Sequence, residues 1–469
     1  MKTNGWLAIL LSLALCTGSP VLYANPPETA EAPPDLPGHE IHRHLHHVEH
    51  EGEDPPDFAG TTLTGDWGGR RSEAWQAGWT FDGTVTVDAL RNRGGQRNGG
   101  GAMTNIDLRA TADLEKLAGW TGATAYVNVL YSGGSRVNGN YTGSLMGVSN
   151  IEVAVPTARL FQAWIQQNFF NDQFSVLAGI YPIDSEFSVI ESASILMHPT
   201  FGAPGDLSQT YVPSIFNSAA LGVRAKWVSA DRALYGMAAV MNGVAGDPDA
   251  TRSYFFRSSA GQGAFAIGEI GWKPSEKGFT LNPVEPVDTV PTDELYDRER
   301  FTGEGKYALG LWRYSKPPPD QYAVDADGQP ARDHAQGGYV LAENTLFGLG
   351  EKGRDVSAFA RYSWSNGRAT AIDRTWNLGV RVRGPLASRP DDVLAIGAVH
   401  GGLSSGYRST QAAGGNPTAA SENVLEVSWR AVLTRYLAVQ PVAQWIRHPG
   451  GGADAERATL FGVRMQLVL

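Results

Sequence analysis

The chain has 469 residues, a net charge of −10, 10% aromatic and only 18% charged residues, and a mean hydropathy of −0.23. That hydropathy excludes a bundle of transmembrane helices, and the lack of any basic stripe excludes nucleic acid as a partner. The length exceeds one ordinary domain, which leaves several globular domains or one large closed β-barrel, whose alternating strands average to mildly polar.

Residues 1–24 read as an export leader. Lys2 supplies the positive charge, Leu7 to Cys16 the apolar run, and Leu22-Tyr23-Ala24 a cleavage site. The run is too short to span and stay in a bilayer. Cys16 is the only cysteine, so cleavage after Ala24 leaves a mature chain without disulfide chemistry.

Residues 25–62 are rich in Pro, Glu and His and are expected to be a disordered periplasmic tail. From Asn25 to Asp57 there are three Asp and six Glu against Arg43 alone, so most of the net negative charge sits here. His39, His42, His44, His46, His47 and His50 have a spacing at which imidazoles can share a zinc or copper ion. No cysteine or fixed scaffold holds them, so a solvated tether is the plainer reading.

From Leu63 the character changes. Leu63-Thr64-Gly65-Asp66-Trp67-Gly68-Gly69-Arg70-Arg71 is a glycine-rich turn, and Ser72 to Ala77 suits a short helix. Trp79, Phe81, Val85, Val87 and Ala89 then alternate with Thr80, Asp82, Thr84, Thr86 and Asp88, which is a strand with one apolar and one wet face. The same alternation returns at 105–114, 221–227, 356–364, 376–383, 425–431 and 463–469, and the charges keep to one parity in each. A charge facing mid-bilayer lipid costs about 2–4 kcal/mol, which is enough to enforce that parity. Trp79, Trp227, Trp272, Trp364, Trp376 and Trp445 fall near strand ends, where an aromatic girdle lies. Further strands are predicted at 121–132, 158–169, 173–182, 233–242, 264–273, 304–314, 338–347, 391–401 and 436–446. The expected fold is therefore all-β: a transmembrane antiparallel barrel of about 16 strands over residues 63–469, preceded by a short helical periplasmic segment. Long connections near 133–157, 183–218, 243–263, 316–337 and 402–421 alternate with short ones, except that Lys273 to Gly303 would be a long periplasmic insertion or a sign of misplaced register.

Three stretches resemble the OprB-type carbohydrate-selective porins. They are Leu63 to Arg70; Arg159-Leu160-Phe161-Gln162-Ala163-Trp164 through Asp184-Ser185-Glu186-Phe187 and Glu191-Ser192-Ala193; and Gly384-Pro385 through Arg389-Pro390-Asp391-Asp392-Val393 to Gln440-Pro441, Gln444 and His448-Pro449-Gly450-Gly451. Their order holds from Leu63 to Leu469. The resemblance implies a sixteen-stranded outer-membrane barrel admitting sugars by passive diffusion, without cofactor, as a homotrimer or a monomer in outer-membrane lipid. The chain departs from the family at Gln162, where Glu is frequent, and at Leu469, where barrels commonly end in an aromatic residue.

Two motifs point elsewhere. Gly348-Leu349-Gly350-Glu351-Lys352-Gly353 has dinucleotide-loop spacing, yet a strand is predicted after it where a helix is required. Gly402-Leu403-Ser404-Ser405-Gly406 has nucleophile-elbow spacing, with a loop expected after it. An outer-membrane barrel esterase or phospholipase and a secreted soluble β-protein or adhesin are therefore the alternatives. A sugar passage needs paired donors and acceptors beside aromatic rings. The inward-facing candidates are Asp82, Asp107, Arg109, Gln162, Trp164, Gln166, Arg224, Arg361, Arg381, Glu426 and Arg430. The segment Pro182 to Pro213, carrying Asp184, Glu186 and Glu191, is expected to fold into the lumen and narrow it.

Overall fold

The computed structural model describes residues 54–210, 212–245, 252–253, 263–274, 305–316, 319–324, 326–332, 334–350 and 353–469. The predicted leader, the histidine cluster and the body of the 274–303 segment lie outside the described residues.

Sixteen strands close into one antiparallel barrel. They are β1 (Trp79–Arg93), β2 (Gly99–Asp113), β3 (Ala123–Gly134), β4 (Thr157–Phe169), β5 (Phe174–Tyr181), β6 (Ala220–Val228), β7 (Leu234–Asn242), β8 (Ala264–Trp272), β9 (Gly305–Tyr314), β10 (Gln336–Gly348), β11 (Asp355–Ser365), β12 (Ile372–Arg383), β13 (Val393–Leu403), β14 (Ser421–Thr434), β15 (Leu437–Arg447) and β16 (Ala458–Val468). Each pairs with its neighbour in sequence, and β1 pairs with β16 from Thr84–Val468 to Arg93–Thr459, which removes every edge. A two-residue strand, Arg252–Ser253, adds a parallel bridge to β4. Because β8 and β9 pair directly, the long 273–304 connection leaves from the short-turn end and the strand register there is sound.

The alternation seen in the sequence becomes the two faces of the wall. Val85, Val87, Val223, Ile270, Leu309, Leu311, Ile396, Leu425, Phe461 and Val463 point outward and stay partly or fully exposed, as a lipid-facing band must. Trp79, Trp227, Trp272 and Trp445 are exposed near its margins. The buried core instead lies inside the cylinder. One apolar cluster gathers Leu177, Phe187, Leu207, Phe265 and Trp312, and another gathers Met146, Val148, Ile195, Leu196, Met197, Phe201, Phe359 and Val399.

The N-terminal segment departs from expectation in two places. Residues 54–62, assigned to the tail, carry the short helix α1 (Phe58–Thr61), with Phe58 buried. The helix expected at 72–77 is α2 (Arg70–Gln76), which starts earlier because Gly69, at φ +94°, supplies a left-handed N-cap. The Arg71 guanidinium donates to the carbonyls of Phe81 (2.6 Å) and Leu469 (3.1 Å) and to Thr62 Oγ1 (3.0 Å), and it packs against the rings of Phe58 and Trp67. Leu63 N–H donates to Val468 and Leu469 N–H to Gly83. The segment thus clasps the seam where the first and last strands meet.

The Ser404 motif also differs from its reading. A helix does follow it, α5 (Ser405–Ala413) after α3 (Leu114–Ala118) and α4 (Gly205–Ser208), so the strand-turn-helix setting is present. Ser404 is buried, and its Oγ accepts from Tyr407 N–H as the N-cap, which is a structural role. Of the 348–353 glycine motif, Gly348 ends β10 and Leu349 N–H is bonded to the Arg354 carbonyl just before β11, while Glu351 and Lys352 lie outside the described residues.

Candidate passage and its constriction

The β5–β6 connection, residues 182–219, is bonded by inward-facing side chains from about half of the strands, and this places it inside the barrel. Glu186 sits fully buried between Arg224 and Lys226 of β6, at 2.8 Å from each. Arg224 also donates to Ser175 Oγ and Gln166 Oε1, each at 2.6 Å. Glu269 of β8 accepts from Ser188 N–H (2.8 Å) and from Tyr235 and Tyr339 hydroxyls. Lys306 of β9 donates to the Val189 carbonyl, and Glu343 of β10 receives the N–H groups of Glu191 and Ser192. Arg361 of β11 binds the carbonyls of Ser188, Thr200 and Gly202 together with Asn377. Glu426 of β14 caps the N–H groups of Met197 (2.6 Å) and His198 (2.8 Å), and Gln440 of β15 donates to Ile195.

A second connection, 135–156 between β3 and β4, is held in the same manner. Glu422 accepts from Leu145 N–H and Gly450 N–H, Gln444 donates to Val148, and Asp88 binds both Ser149 and Arg464. These polar anchors surround the apolar residues of both connections, so the lumen is filled by protein over that part of its section.

One stretch of wall keeps a polar row whose two ends, Asp82 and Gln162, are accessible, with Arg109 and Asn128 buried between them. Asp82, Arg109, Asn128 and Gln162 are direct cross-strand partners over β1, β2, β3 and β4. Arg109 pairs with Asp82, whose side chain is 35% exposed, and lies 3.9 Å from Asp107, which is 19% exposed. Asn128 donates to Asp107. A bulge at Phe161 shifts the β3–β4 register by one residue, which brings Gln162 into the row and turns Trp164 inward. Trp164 stacks on its partner Tyr126 with centroids 4.9 Å apart and donates to Gln162 Oε1 at 3.2 Å. Gly179 at φ +148° permits this crowding, since a Cβ there would stand 2.5 Å from Trp164 Cα.

All the strand residues named from the sequence face inward, but they divide by environment. Asp82, Asp107 and Gln162 keep access to the lumen. Arg224, Arg361 and Glu426 are closed under the inward connection as its anchors, and Gln166 is buried beside Arg224. Arg381 is buried against Asp355 (3.1 Å) and Ser357, Arg430 is buried on β14, and Trp164 is 8% exposed with one ring face taken by Tyr126. Of the loop acids, Glu191 pairs with Lys273 at 3.3 Å near Lys306 and Glu343, while Asp184 accepts from Phe216 N–H. The sequence reading passed over Asn128, Tyr126, Lys226, Glu269 and Glu343. The alternation of Tyr126 and Asn128 with Val127 and Val129 was the available signal for two of them.

Acids on the inward connection titrate in opposite directions. Burial alone would raise Glu186, but Arg224 and Lys226 outweigh it and hold the carboxyl at about 2. Burial pushes Asp184 up to about 6 against the Phe216 N–H bond, and Asp206 to about 7 against bonds from Ser363 and Thr375. A depressed carboxylate contributes stability above its ordinary value and loses it as pH falls toward 2; a raised one weakens the folded state as pH climbs from about 4 to its folded value. The connection should therefore be seated most firmly in a window around pH 4, where the two raised acids are still protonated and most of the Glu186 contribution is present. Protease nicking of residues 182–219 measured from pH 3 to 9 should be minimal in that window, and a flat profile would contradict these ionisations.

Comparison with known proteins agrees with this architecture. The model of the carbohydrate-selective porin, OprB family, matches residues 97–469. Porin B of Pseudomonas aeruginosa is 22% identical over 448 residues, covering 87% of this chain and 91% of that protein. A protein named putative porin QuiX, from Acinetobacter baylyi, is 21% identical and covers 86% of this chain and 92% of its own length. The high-pH structure of Pseudomonas putida OprB superposes with a TM-score of 0.74 at 20% identity, covering 89% of this chain and 99% of that one. The secreted soluble alternative is thereby set aside. The closed sixteen-strand wall, its outward apolar band and the match over most of the chain together place this protein in the OprB family of carbohydrate-selective porins of the outer membrane.

Proposed function

We propose that mono- or small oligosaccharides pass along the polar row on β1 to β4, with the inward 182–219 connection setting the width opposite. The observation that carries this reading is the register-matched series Asp82, Arg109, Asn128 and Gln162, flanked by Asp107, Tyr126 and Trp164. Carboxylates and amides there meet ring-edge hydroxyls, and the exposed part of Tyr126 meets the apolar face of the sugar. Contacts of this kind bind weakly enough for release, so transport is passive, and no bond chemistry or cofactor takes part. Ser404, the residue that an esterase would need, is spent on capping α5. Glu191 and Arg381 line a water-sized cavity on the β9–β12 side with Lys273, Lys306 and Glu343, too small to admit a sugar ring.

Liposome swelling with a panel of mono- and disaccharides tests the reading. Tyr126→Ala and Gln162→Ala should each change sugar flux by roughly threefold to tenfold, the worth of one stacking contact or a little more, with small-ion conductance nearly constant. Parallel changes in both quantities would remove the row from recognition. Assembly as a homotrimer, rather than a monomer, is favoured by the low wall at β5 to β8. Those strands are the shortest of the sixteen, at 8 or 9 residues, the lower limit of the roughly 9–11 that hydrocarbon asks for. The molecular mass in detergent distinguishes the two states.

A further inference from the structure

The lipid-facing parity carries apolar or small residues along most of β15, β16 and β1, then changes abruptly at the long-loop end. On β1 it runs Val85, Val87, Ala89 and then Arg91 and Arg93; on β15 it runs Ala443, Trp445 and then Arg447. On β16 it begins after Arg457 with Thr459, Phe461 and Val463. Register brings these four arginines together. Arg91 is opposite Phe461 and Arg93 opposite Thr459, while the β15–β16 pairing stops at Ile446–Ala458, so Arg447 and Arg457 are the next facing positions. With strands about 4.8 Å apart, the three strands put all four guanidinium groups within reach of one headgroup. Opposite Arg91 on the other side stands Gly100, which places no side chain beside it.

All four are exposed, and none has a hydrogen bond, ion pair or ring partner among the described residues. The inward arginines contrast with them: Arg109, Arg224, Arg361, Arg381, Arg383 and Arg464 are each bonded to an acid or to backbone carbonyls. Nearby acids form no ion pair with the group among the described residues. Glu456 and Asp454 are exposed on the 448–457 loop, and the Glu456 carboxylate lies over Gly94 at the β1–β2 turn. One arginine at the edge of an apolar band is ordinary snorkelling. Four on adjacent strands repel one another, and facing like charges on a sheet are destabilising unless an anion lies between them. At this depth, just above the acyl-chain band on the outer side, the available anion is a lipid phosphate, and the guanidinium fork matches its oxygens in pairs.

We propose that Arg91, Arg93, Arg447 and Arg457 form a binding site, on the outer lipid-facing rim of β15, β16 and β1, for the phosphate esters of an outer-leaflet lipid headgroup. Folded protein in a neutral detergent, titrated with bisphosphorylated lipid A, its dephosphorylated form and inorganic phosphate, tests this by native mass spectrometry. Bound bisphosphorylated lipid is expected on the parent protein, and affinity should drop by about tenfold or more in the variant combining Arg91→Gln, Arg93→Gln, Arg447→Gln and Arg457→Gln. The dephosphorylated lipid and inorganic phosphate should bind neither form appreciably, and sugar-driven swelling should be unchanged in the variant. Equal lipid affinity in variant and parent, or equal binding of the phosphate-free lipid, would overturn the site. Binding of inorganic phosphate as strong as that of the lipid would overturn the lipid assignment. Should the fourfold variant fail to fold, the pair Arg447→Gln and Arg457→Gln alone should weaken binding by roughly threefold or more, and no change there counts against the proposal.

Discussion

Glu186→Ala is expected to widen the pore and abolish its preference for sugars. The carboxylate is bonded to both Arg224 and Lys226, all three groups being fully buried. Removing it leaves two cations without their shared partner in a dry setting, a situation that costs about 3–5 kcal/mol. The cheapest relief is for the 182–219 connection to leave the lumen so that water reaches both cations. Planar-bilayer recordings should then show single-channel conductance raised severalfold and swelling rates that no longer discriminate among solutes of different size. Glu186→Gln, which retains an acceptor but no charge, should fall between. Unchanged conductance in Glu186→Ala, in a correctly folded barrel, would mean that the remaining anchors at Glu269, Glu343, Arg361 and Glu426 hold the connection unaided.

The second large effect is expected at the seam. Arg71 joins α1, the 62–71 turn, β1 and the final residue through hydrogen bonds to Thr62, Phe81 and Leu469 and through contacts with Phe58 and Trp67. Arg71→Ala strips these partners at once and opens a void, which together costs about 3 kcal/mol or more. The variant should unfold at a lower temperature in detergent, followed by the heat-dependent shift of the barrel on a denaturing gel, and should refold in lower yield. Arg71→Lys keeps the charge but lacks the fork that serves several carbonyls, so it should recover only part of the loss. An unaltered transition in Arg71→Ala would show that strand pairing alone secures the closure.

Much of the wall was legible because a lipid-facing sheet permits one reading of period-two alternation. Leu221, Val223, Ala225 and Trp227 against Arg224 and Lys226 could not be reversed without turning two charges into lipid. The site was only half legible. Parity groups the polar side chains of each strand on one face, but it carries no information on what fills the interior. Whether Arg361 meets water or the backbone of residues 188–202 depends on the path of a segment distant in sequence. The bulge at Phe161 has no periodic signature, and the row that includes Gln162 became visible only with the register. The helix after Ser404 was missed because Ser405-Gly406-Tyr407-Arg408-Ser409 is poor in helix formers, and capping by Ser404 supplies what propensity does not.

The apolar clusters inside the cylinder have a consequence for how the wall breathes. Around Gly397 of β13 the ladders to β12 and β14 have acyl chains on one side and Phe201 and Leu196 on the other, so their peptide groups there meet water on neither face. Local opening of these ladders would bare unpaired amides to two dry layers at once, and this sector behaves as a stiff plate. Flexing is left to β1 to β4, where one side is wet, so the part of the barrel proposed to carry the solute is also the part able to yield around it.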